Sequence, residues 1–408
     1  MAKPGFHQLY SLQEALGLLI NLAPEANESC IAVQDSLGCI LSRDVLSPIA
    51  IPSFAKSAMD GYAVIAEDTF QASLNRPVKL SFAGEILPAC PSDRKLNHGE
   101  CMEIATGAPI PEGADGIVMV EHSERENQTV FLFKPAVPGE HIISPGSDVS
   151  ENQCILNQGT RLEPRHTALL SGLGMMEIHV FSPLLAGVCS SGNEIVRPPA
   201  QLEQGQSYDI NSRALIDVLR SYGCNTKDFG VVSDDLDTMI KTFQEMARSC
   251  DLIIISGGSS LGTKDLMVEA IQKIGKIHVH GIAVKPGKPT LIGTIENKIF
   301  LGLPGHPTSA LSNFYILIEP FLNHIYKVKK TLKPIMHARL TSKVASTIGR
   351  LEYLPVKIEQ KEEEYFAKPI MRGSSAISSL VLADGYIEIH ENIEVLDKET
   401  LVKVVLFT

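Results

Sequence analysis

The 408-residue chain is too long for one ordinary core, and its 44% hydrophobic and 20% charged residues fit a folded protein of two to four domains. Its 47 acidic against 36 basic side chains give a net charge of −11, which argues against a nucleic-acid binder because phosphate neutralisation needs a basic face. An anionic ligand would bind only where local lysines or a metal ion overrule that field.

The eight cysteines form no C-x-x-C pair, so neither a zinc ribbon nor a thioredoxin-type motif is indicated. Several have apolar neighbours, as Cys39 and Cys189 do, where a thiol serves as a small core residue. The N-terminus lacks a signal pattern, and the apolar run Phe314 to Phe321 is cut by Glu319 and Pro320, well short of a membrane span. A cytoplasmic protein that uses no membrane is the expectation.

In chain order, Ser11 and Glu14 stand at capping-box spacing ahead of Leu12, Leu16, Leu19 and Ile20, which predicts a helix. From Cys30 to about Glu151 short runs such as Val78-Lys-Leu-Ser-Phe and Thr129-Val-Phe-Leu-Phe are bounded by Pro, Gly and Asn. That pattern predicts a β-rich segment with turns at sandwich or barrel spacing. From Leu184 to about Tyr326 strand-like runs at Leu185, Asp251 and Lys298 are each followed by a Gly-bearing loop and a helical pattern. Helices are expected over Ser212–Tyr222, Leu236–Ser249 and Thr308–Ile325, on a mainly parallel sheet. Beyond Lys333 alternating strands return, with a turn at Ala383-Asp-Gly385, and predict a small all-β domain.

Four loops could carry chemistry. Ser256-Gly-Gly-Ser-Ser-Leu-Gly-Thr-Lys-Asp265 lies between a buried strand and a helix, where glycines let N–H groups approach an anion; a tight strand-to-helix turn would explain it equally. Val284-Lys-Pro-Gly-Lys-Pro-Thr290 presents Lys285 and Lys288 from one proline-stiffened turn, which suits a phosphate or oxyanion, though a solvated turn would look the same. Gly302-Leu-Pro-Gly-His-Pro-Thr308, with Pro304, Gly305 and Pro307, opens a long apolar helix and allows either an anion-facing or a structural turn. In Ser57-Ala-Met-Asp-Gly-Tyr-Ala-Val64, Asp60 before Gly61 is ordinarily a turn. Asp148, Glu194, Asp234 with Asp235, and Asp265 are each most often solvated or capping residues. Converged, they would repel an anion unless a hard cation such as Mg²⁺ joined them.

Together these segments resemble the molybdopterin molybdenumtransferase family, the MoeA type and the E domain of gephyrin. The likeness runs in order through Ser57 to Val64, Ala105-Thr-Gly-Ala-Pro-Ile-Pro-Glu-Gly-Ala-Asp115, Ser191-Gly-Asn-Glu194 and Tyr208-Asp-Ile-Asn211. It continues through Ser256 to Asp265, Lys285-Pro-Gly-Lys-Pro, Leu303-Pro-Gly-His-Pro, Gly349-Arg-Leu-Glu-Tyr353 and Gly373 to Ser379. The resemblance implies a multidomain α/β plus β protein. A helical linker domain (1–45 and 148–183) and a β-rich lid (46–147) would precede a doubly wound α/β catalytic domain (184–330) and a C-terminal β-barrel (331–408). It implies a homodimer with a cleft shared between subunits. Molybdate or tungstate would be inserted into adenylylated molybdopterin (molybdopterin-AMP), with Mg²⁺-dependent hydrolysis and release of AMP, and an adenylyltransferase is the implied partner.

Position by position, the resemblance marks Asp60, Asp148, Glu194, Asp234, Asp265 and Lys285 as catalytic, with Asp234, Asp265 and Glu194 as candidate Mg²⁺ ligands. Ser256, Gly257, Gly258, Ser259, Lys285, Lys288, Pro304, Gly305, Pro307, Arg350, Ser374 and Ser375 would bind the pterin nucleotide. The chain departs from the family at Ile143-Ser-Pro145, where arginines are usual, and at Asn193, His306 and Thr308, where Asp, Asn and Val are frequent. Two alternatives stay open: molybdopterin adenylyl transfer by the central domain, and a dimeric scaffold of the gephyrin E-domain type.

Overall fold

The computed structural model describes residues 9–90, 93–257, 266–329 and 333–407. The chain divides into two compact units, one of Met1–Ser42, Gln158–Glu163 and Glu177–Thr408, the other of Arg43–Asn157 and Pro164–Met176.

The first unit opens with the helix Leu12–Asn21, whose expected capping box is present: Ser11 Oγ accepts from Glu14 N–H and the Glu14 carboxylate accepts from Ser11 N–H. Its buried Ala15 and Leu19 join the main core. That core lies on one face of a six-stranded sheet ordered Asn225–Val232, Leu185–Ser191, Leu252–Ser256, Lys298–Leu303, Leu291–Ile295, Gly275–His280. The first four strands run parallel, Leu291–Ile295 runs against them, and Gly275–His280 is antiparallel to Leu291–Ile295. Leu252 and Ile254 face the helices Asn211–Ser221 and Pro307–Asn313. Ile253 and Ile255 face Leu236–Ser249 and Leu266–Ile274 on the other side. Covering both faces is why the central strands read as unbroken apolar runs rather than alternating ones.

The helix expected over Thr308–Ile325 is helical throughout but not uniform. It is α over Pro307–Asn313, π over Phe314–Ile318 and α again over Glu319–Ile325. Pro320 has no N–H to give to the turn before it, and a widened turn there accommodates its ring.

The C-terminal strands close into a five-stranded barrel in the order Leu351–Lys361, Glu364–Pro369, Ile335–Leu340, Leu401–Leu406, Gly385–Ile389, returning to the first. Leu340, Val356, Ala367, Ile389 and Val404 fill it. The pair Val284–Lys285 adds to its outside, parallel to Leu351–Glu352.

The second unit is built on one open sheet, ordered Gly116–Met119, Gly61–Val64, Glu100–Ile104, Val78–Ile86, Thr129–Leu132, Ser123–Glu126. Loop residues Leu96 and Ala108, with Ile142 of the short pair Ile142–Ile143 and Lys56–Ser57, close one face, and Ala66 and Ala136 the other. Burial pushes the thiols of Cys101 here and Cys189 in the first unit up to about 12, so both stay protonated core residues. No helix among the described residues is long and apolar enough to cross a membrane.

Candidate functional site

The four parallel strands of the first unit end at Val232, Ser191, Ser256 and Leu303, and the loops that follow carry Asp234, Glu194, Gly257 and Pro304 to Pro307. Crevices at the carboxyl ends of such strands are where open α/β sheets bind ligands. Gly257 has φ +110, and a Cβ there would stand 2.3 Å from the Ser191 carbonyl oxygen, so only glycine fits. Gly192 has φ +144, and the Glu194 carboxylate folds over it, both oxygens 2.8 Å from where a Cβ would be. Asp234 N–H donates to Asn193 Oδ1 at 3.0 Å, so the departure at Asn193 leaves a neutral acceptor holding the Asp234 loop. Asp235 is a helix cap: its carboxylate accepts from Thr238 Oγ1 and Thr238 N–H, which hold it below the usual carboxylate range.

Asn211 ties two of these loops together. Its Nδ2 donates to Ser256 Oγ at 2.7 Å and to the Gly305 carbonyl at 2.7 Å, while Ser256 Oγ donates to the Pro304 carbonyl at 3.2 Å. Two residues before Asn211 stands Asp209, whose side chain is 2% exposed and pairs with Arg197 at 2.8 Å. Ser190 Oγ donates to Asp209 at 2.7 Å, and Ser212 donates through both its hydroxyl and its N–H. Burial opposes ionisation of Asp209, but these donors outweigh it and hold its carboxyl below the ordinary range. Ser191 Oγ is buried and has no hydrogen-bond partner among the described residues. Gly258, Ser259 and Asp265 lie outside the described residues.

The other face of the Pro304 loop opens on a cavity of about 510 Å³ between the Lys285–Lys288 turn and the barrel. Lys285, Lys288, Pro304, Arg350 and Ser374, all expected from the sequence, line it; Gly305, Pro307 and Ser375 do not. Among the described residues Arg372 adds a fourth cation, and Glu352 is the one acidic residue of the lining. Both Glu352 oxygens lie against the Lys285 ammonium, at 3.0 and 3.1 Å, and Ser346 Oγ donates to the same carboxylate at 2.6 Å. His306 meets Ser374 Oγ at 2.7 Å, and Thr308 N–H donates to the Ser374 carbonyl at 3.2 Å, so both departing positions brace the loop against the barrel. Pro307 opens the helix Pro307–Asn313 at its first turn, where its missing N–H costs nothing.

Asp60 and Asp148 belong to the second unit. Asp60 is more than a turn residue: Thr106 N–H and Oγ1 donate to it at 2.7 and 3.0 Å and hold its carboxyl below the usual range. Around it Ser57 N–H donates to Ala108 O and Gly107 N–H to Ser57 O, so the Ser57 and Ala105 loops form one piece. Ile142–Ile143 pairs antiparallel with Lys56–Ser57, which gives the arginine-free stretch a structural place. Asp148 is exposed, its N–H donating to the Ile51 carbonyl at 3.0 Å.

Asn211, Arg197, Arg372 and Glu352 are working residues that no motif spacing marks. Glu352 stood inside the quoted Gly349–Tyr353 segment, and a carboxylate between apolar neighbours was the available signal. Among the described residues no three His, Cys, Asp or Glu side chains group to hold a metal ion. Glu194 and Asp234 do leave the ends of adjacent strands, paired through Ser191 and Val232, and both are exposed. Mg²⁺ commonly takes one or two carboxylates and completes its shell with water and phosphate, so this pair fits it.

Comparison with known proteins agrees along the chain. Residues 10–174 match the MoeA N-terminal region (domains I and II), 187–324 the family described as a probable molybdopterin binding domain, and 337–407 the MoeA C-terminal region (domain IV). A molybdopterin molybdenumtransferase of Haemophilus influenzae is 33% identical over 348 residues, 85% of this chain and 85% of the relative. A Methanocaldococcus jannaschii protein named for molybdopterin biosynthesis is 33% identical over 385 residues, 92% of this chain and 91% of the relative. The crystal structure of a molybdopterin biosynthesis MoeA protein from Pyrococcus horikoshii matches with a TM-score of 0.87 at 38% identity, over 98% of this chain and 100% of that one. The chain belongs to the molybdopterin molybdenumtransferase (MoeA) family.

Proposed function

We propose that the chain inserts molybdenum, supplied as molybdate or its tungsten analogue, into molybdopterin carried as an adenylate, with hydrolysis of the adenylate and release of AMP. The observation that carries this reading is the cavity where, among the described residues, Lys285, Lys288, Arg350 and Arg372 gather against a single, already paired carboxylate. In a chain of net charge −11 such a concentration of cations is a local exception, and it suits a tetrahedral dianion or a phosphate. Relatives named molybdopterin molybdenumtransferase support molybdopterin and molybdenum as the pair that is joined.

In this reading the loop from Ser256 through Gly257, Gly258 and Ser259 offers backbone N–H groups to a phosphate, and Lys285 neutralises charge that develops as the anhydride breaks. Lys288, Pro304, Gly305, Pro307, Arg350, Ser374 and Ser375 complete the binding surface. Glu194 and Asp234, with Asp265, would hold Mg²⁺, which supplies charge neutralisation on the phosphate oxygens when bound. Asp60 and Asp148 are retained as candidate contacts to the oxyanion, in a homodimer whose cleft is shared between subunits. An adenylyltransferase would supply the adenylate.

The test is AMP release by purified protein given adenylylated molybdopterin and Mg²⁺, with molybdate, with tungstate, and with neither. Release that depends on the oxyanion is expected. Its absence would overturn the reading. Transfer of AMP from ATP to free molybdopterin would point to the adenylyltransferase instead, and a dimer with neither activity to a scaffold.

A further inference from the structure

We propose that Glu352 is a positioning residue for Lys285: its carboxylate holds the ammonium from the barrel side and sets the direction in which the lysine's remaining N–H groups face. The inference rests on the function proposed above for the role of Lys285, but the contact itself does not.

Glu352 is 6% exposed, a depth at which an ionised carboxylate persists only when it is paired. Its partners are all local to this junction. Lys285 Nζ lies 3.0 Å from one oxygen and 3.1 Å from the other, and Ser346 Oγ donates at 2.6 Å. The backbone fixes the pairing too, since Val284–Lys285 runs parallel to Leu351–Glu352 with Lys285 in register with Glu352, and Leu351 N–H donates to the Ala283 carbonyl.

A lysine on a free turn would spread its ammonium over many rotamers and reach for bulk water. Here the two Glu352 oxygens together take one side of the ammonium, while the lysine side chain keeps 39% exposure and lines the cavity. The opposite side of the ammonium is left for a ligand. The arrangement carries a cost, because a carboxylate beside an anion site opposes the anion. A carboxylate whose only effect was repulsion would have no reason to be held by Ser346 and aligned by a strand pairing. Orientation is the benefit that matches the geometry. The carboxylate fixes Lys285 from the barrel side while Asn313 holds Gly287, two residues further along the same turn.

The deciding experiment is a double-mutant cycle on the full-length protein with Glu352→Gln, Lys285→Ala and the pair, read both as molybdate affinity by titration calorimetry and as oxyanion-dependent AMP release. Glu352→Gln keeps size and one acceptor. It should weaken molybdate several-fold and lower kcat about tenfold, with KM for the pterin nucleotide little changed. Added to Lys285→Ala it should do nothing more in either readout, because its effect passes through that ammonium. An equal further loss in the Lys285→Ala background would overturn the proposal, as would tighter molybdate binding in Glu352→Gln, which would mean the carboxylate only competes for the lysine. Glu352→Asp, which keeps the charge and draws it back by one methylene, serves if the glutamine variant melts early, and should show the same dependence on Lys285. Should the wild-type protein bind molybdate yet release no AMP, the insertion reading fails while the binding cycle still decides the role of Glu352.

Discussion

Asn211 donates to Ser256 Oγ at 2.7 Å, and from the same nitrogen to the Gly305 carbonyl, so one amide at the start of a helix joins the ends of two parallel strands. Ser256 Oγ spends its own proton on the Pro304 carbonyl and can only accept from Asn211. The side chain at 211 must therefore be a donor toward both loops. Asn211→Ala should cost about 1 kcal/mol of stability, the net worth of such bonds, while lowering AMP release at least tenfold. Asn211→Asp should be worse in both, because an acceptor would then face two acceptors. Urea unfolding midpoints beside turnover rates check the order; an aspartate variant as active as wild type would refute the account.

Gly257 and Gly305 are neighbours in the same crevice with opposite tolerances. Alanine at Gly257 would need φ +110 and would press a Cβ to 2.3 Å from the Ser191 carbonyl, whereas at Gly305 the nearest atom is Gly257 Cα at an ordinary 3.4 Å. Gly257→Ala should destabilise by about 2–4 kcal/mol and shift the unfolding midpoint visibly. Gly305→Ala should melt like wild type. If it also loses activity, the Cβ is obstructing substrate rather than the fold.

Much of this is legible in the sequence alone. The Ser11–Glu14 box is local, and capping depends on residues three apart, so the sequence displays it directly. Strand Leu252–Ser256 declares itself because burial on both faces demands an unbroken apolar run. Strand Asn225–Val232 does not, since it is the sheet's edge and carries Asn225, Lys227 and Asp228 among its residues. The site divides in the same way. Two lysines on one proline turn are visible as a motif, but the carboxylate that holds Lys285 lies 67 residues later, and no spacing rule spans that distance. Asp209 was visible only as part of a motif; its work with Arg197 and Ser190 depends on three strand ends meeting.

Asp209 gives a prediction with a sign in pH. Its folded pKa is depressed, so the stability it contributes is complete above the unfolded value of about 3.9 and is lost as pH falls through the lower folded value. Asp209→Asn leaves Arg197 without its buried partner and should cost about 2–3 kcal/mol at neutral pH. The gap between the two proteins should then close in acid, below about pH 4. Unfolding curves from pH 7 to pH 3 test this, and a gap that persists unchanged at pH 3 would mean the pair contributes through packing rather than charge.

The turn that carries Lys285 and Lys288 depends on a residue with no charge. Asn313 is fully buried; its Nδ2 donates to the Gly287 carbonyl at 3.2 Å and to Thr290 Oγ1 at 2.5 Å, while Thr290 Oγ1 donates to Gly287 O at 2.7 Å. Gly287 has φ +118, and a Cβ there would lie 2.3 Å from Asn313 Oδ1. Asn313→Ala removes the clamp and opens a small void, at a cost of about 2 kcal/mol, and should raise KM for molybdate as the two ammonium groups lose their fixed spacing. Gly287→Ala should cost more, because it meets both the clash and the backbone strain. The double variant should be less damaged than the sum of the singles, since shortening Asn313 makes room for the new methyl group while the strain at φ +118 remains. Strict additivity of the two unfolding free energies would show that the close approach of Asn313 to Gly287 is not what excludes a side chain at that position.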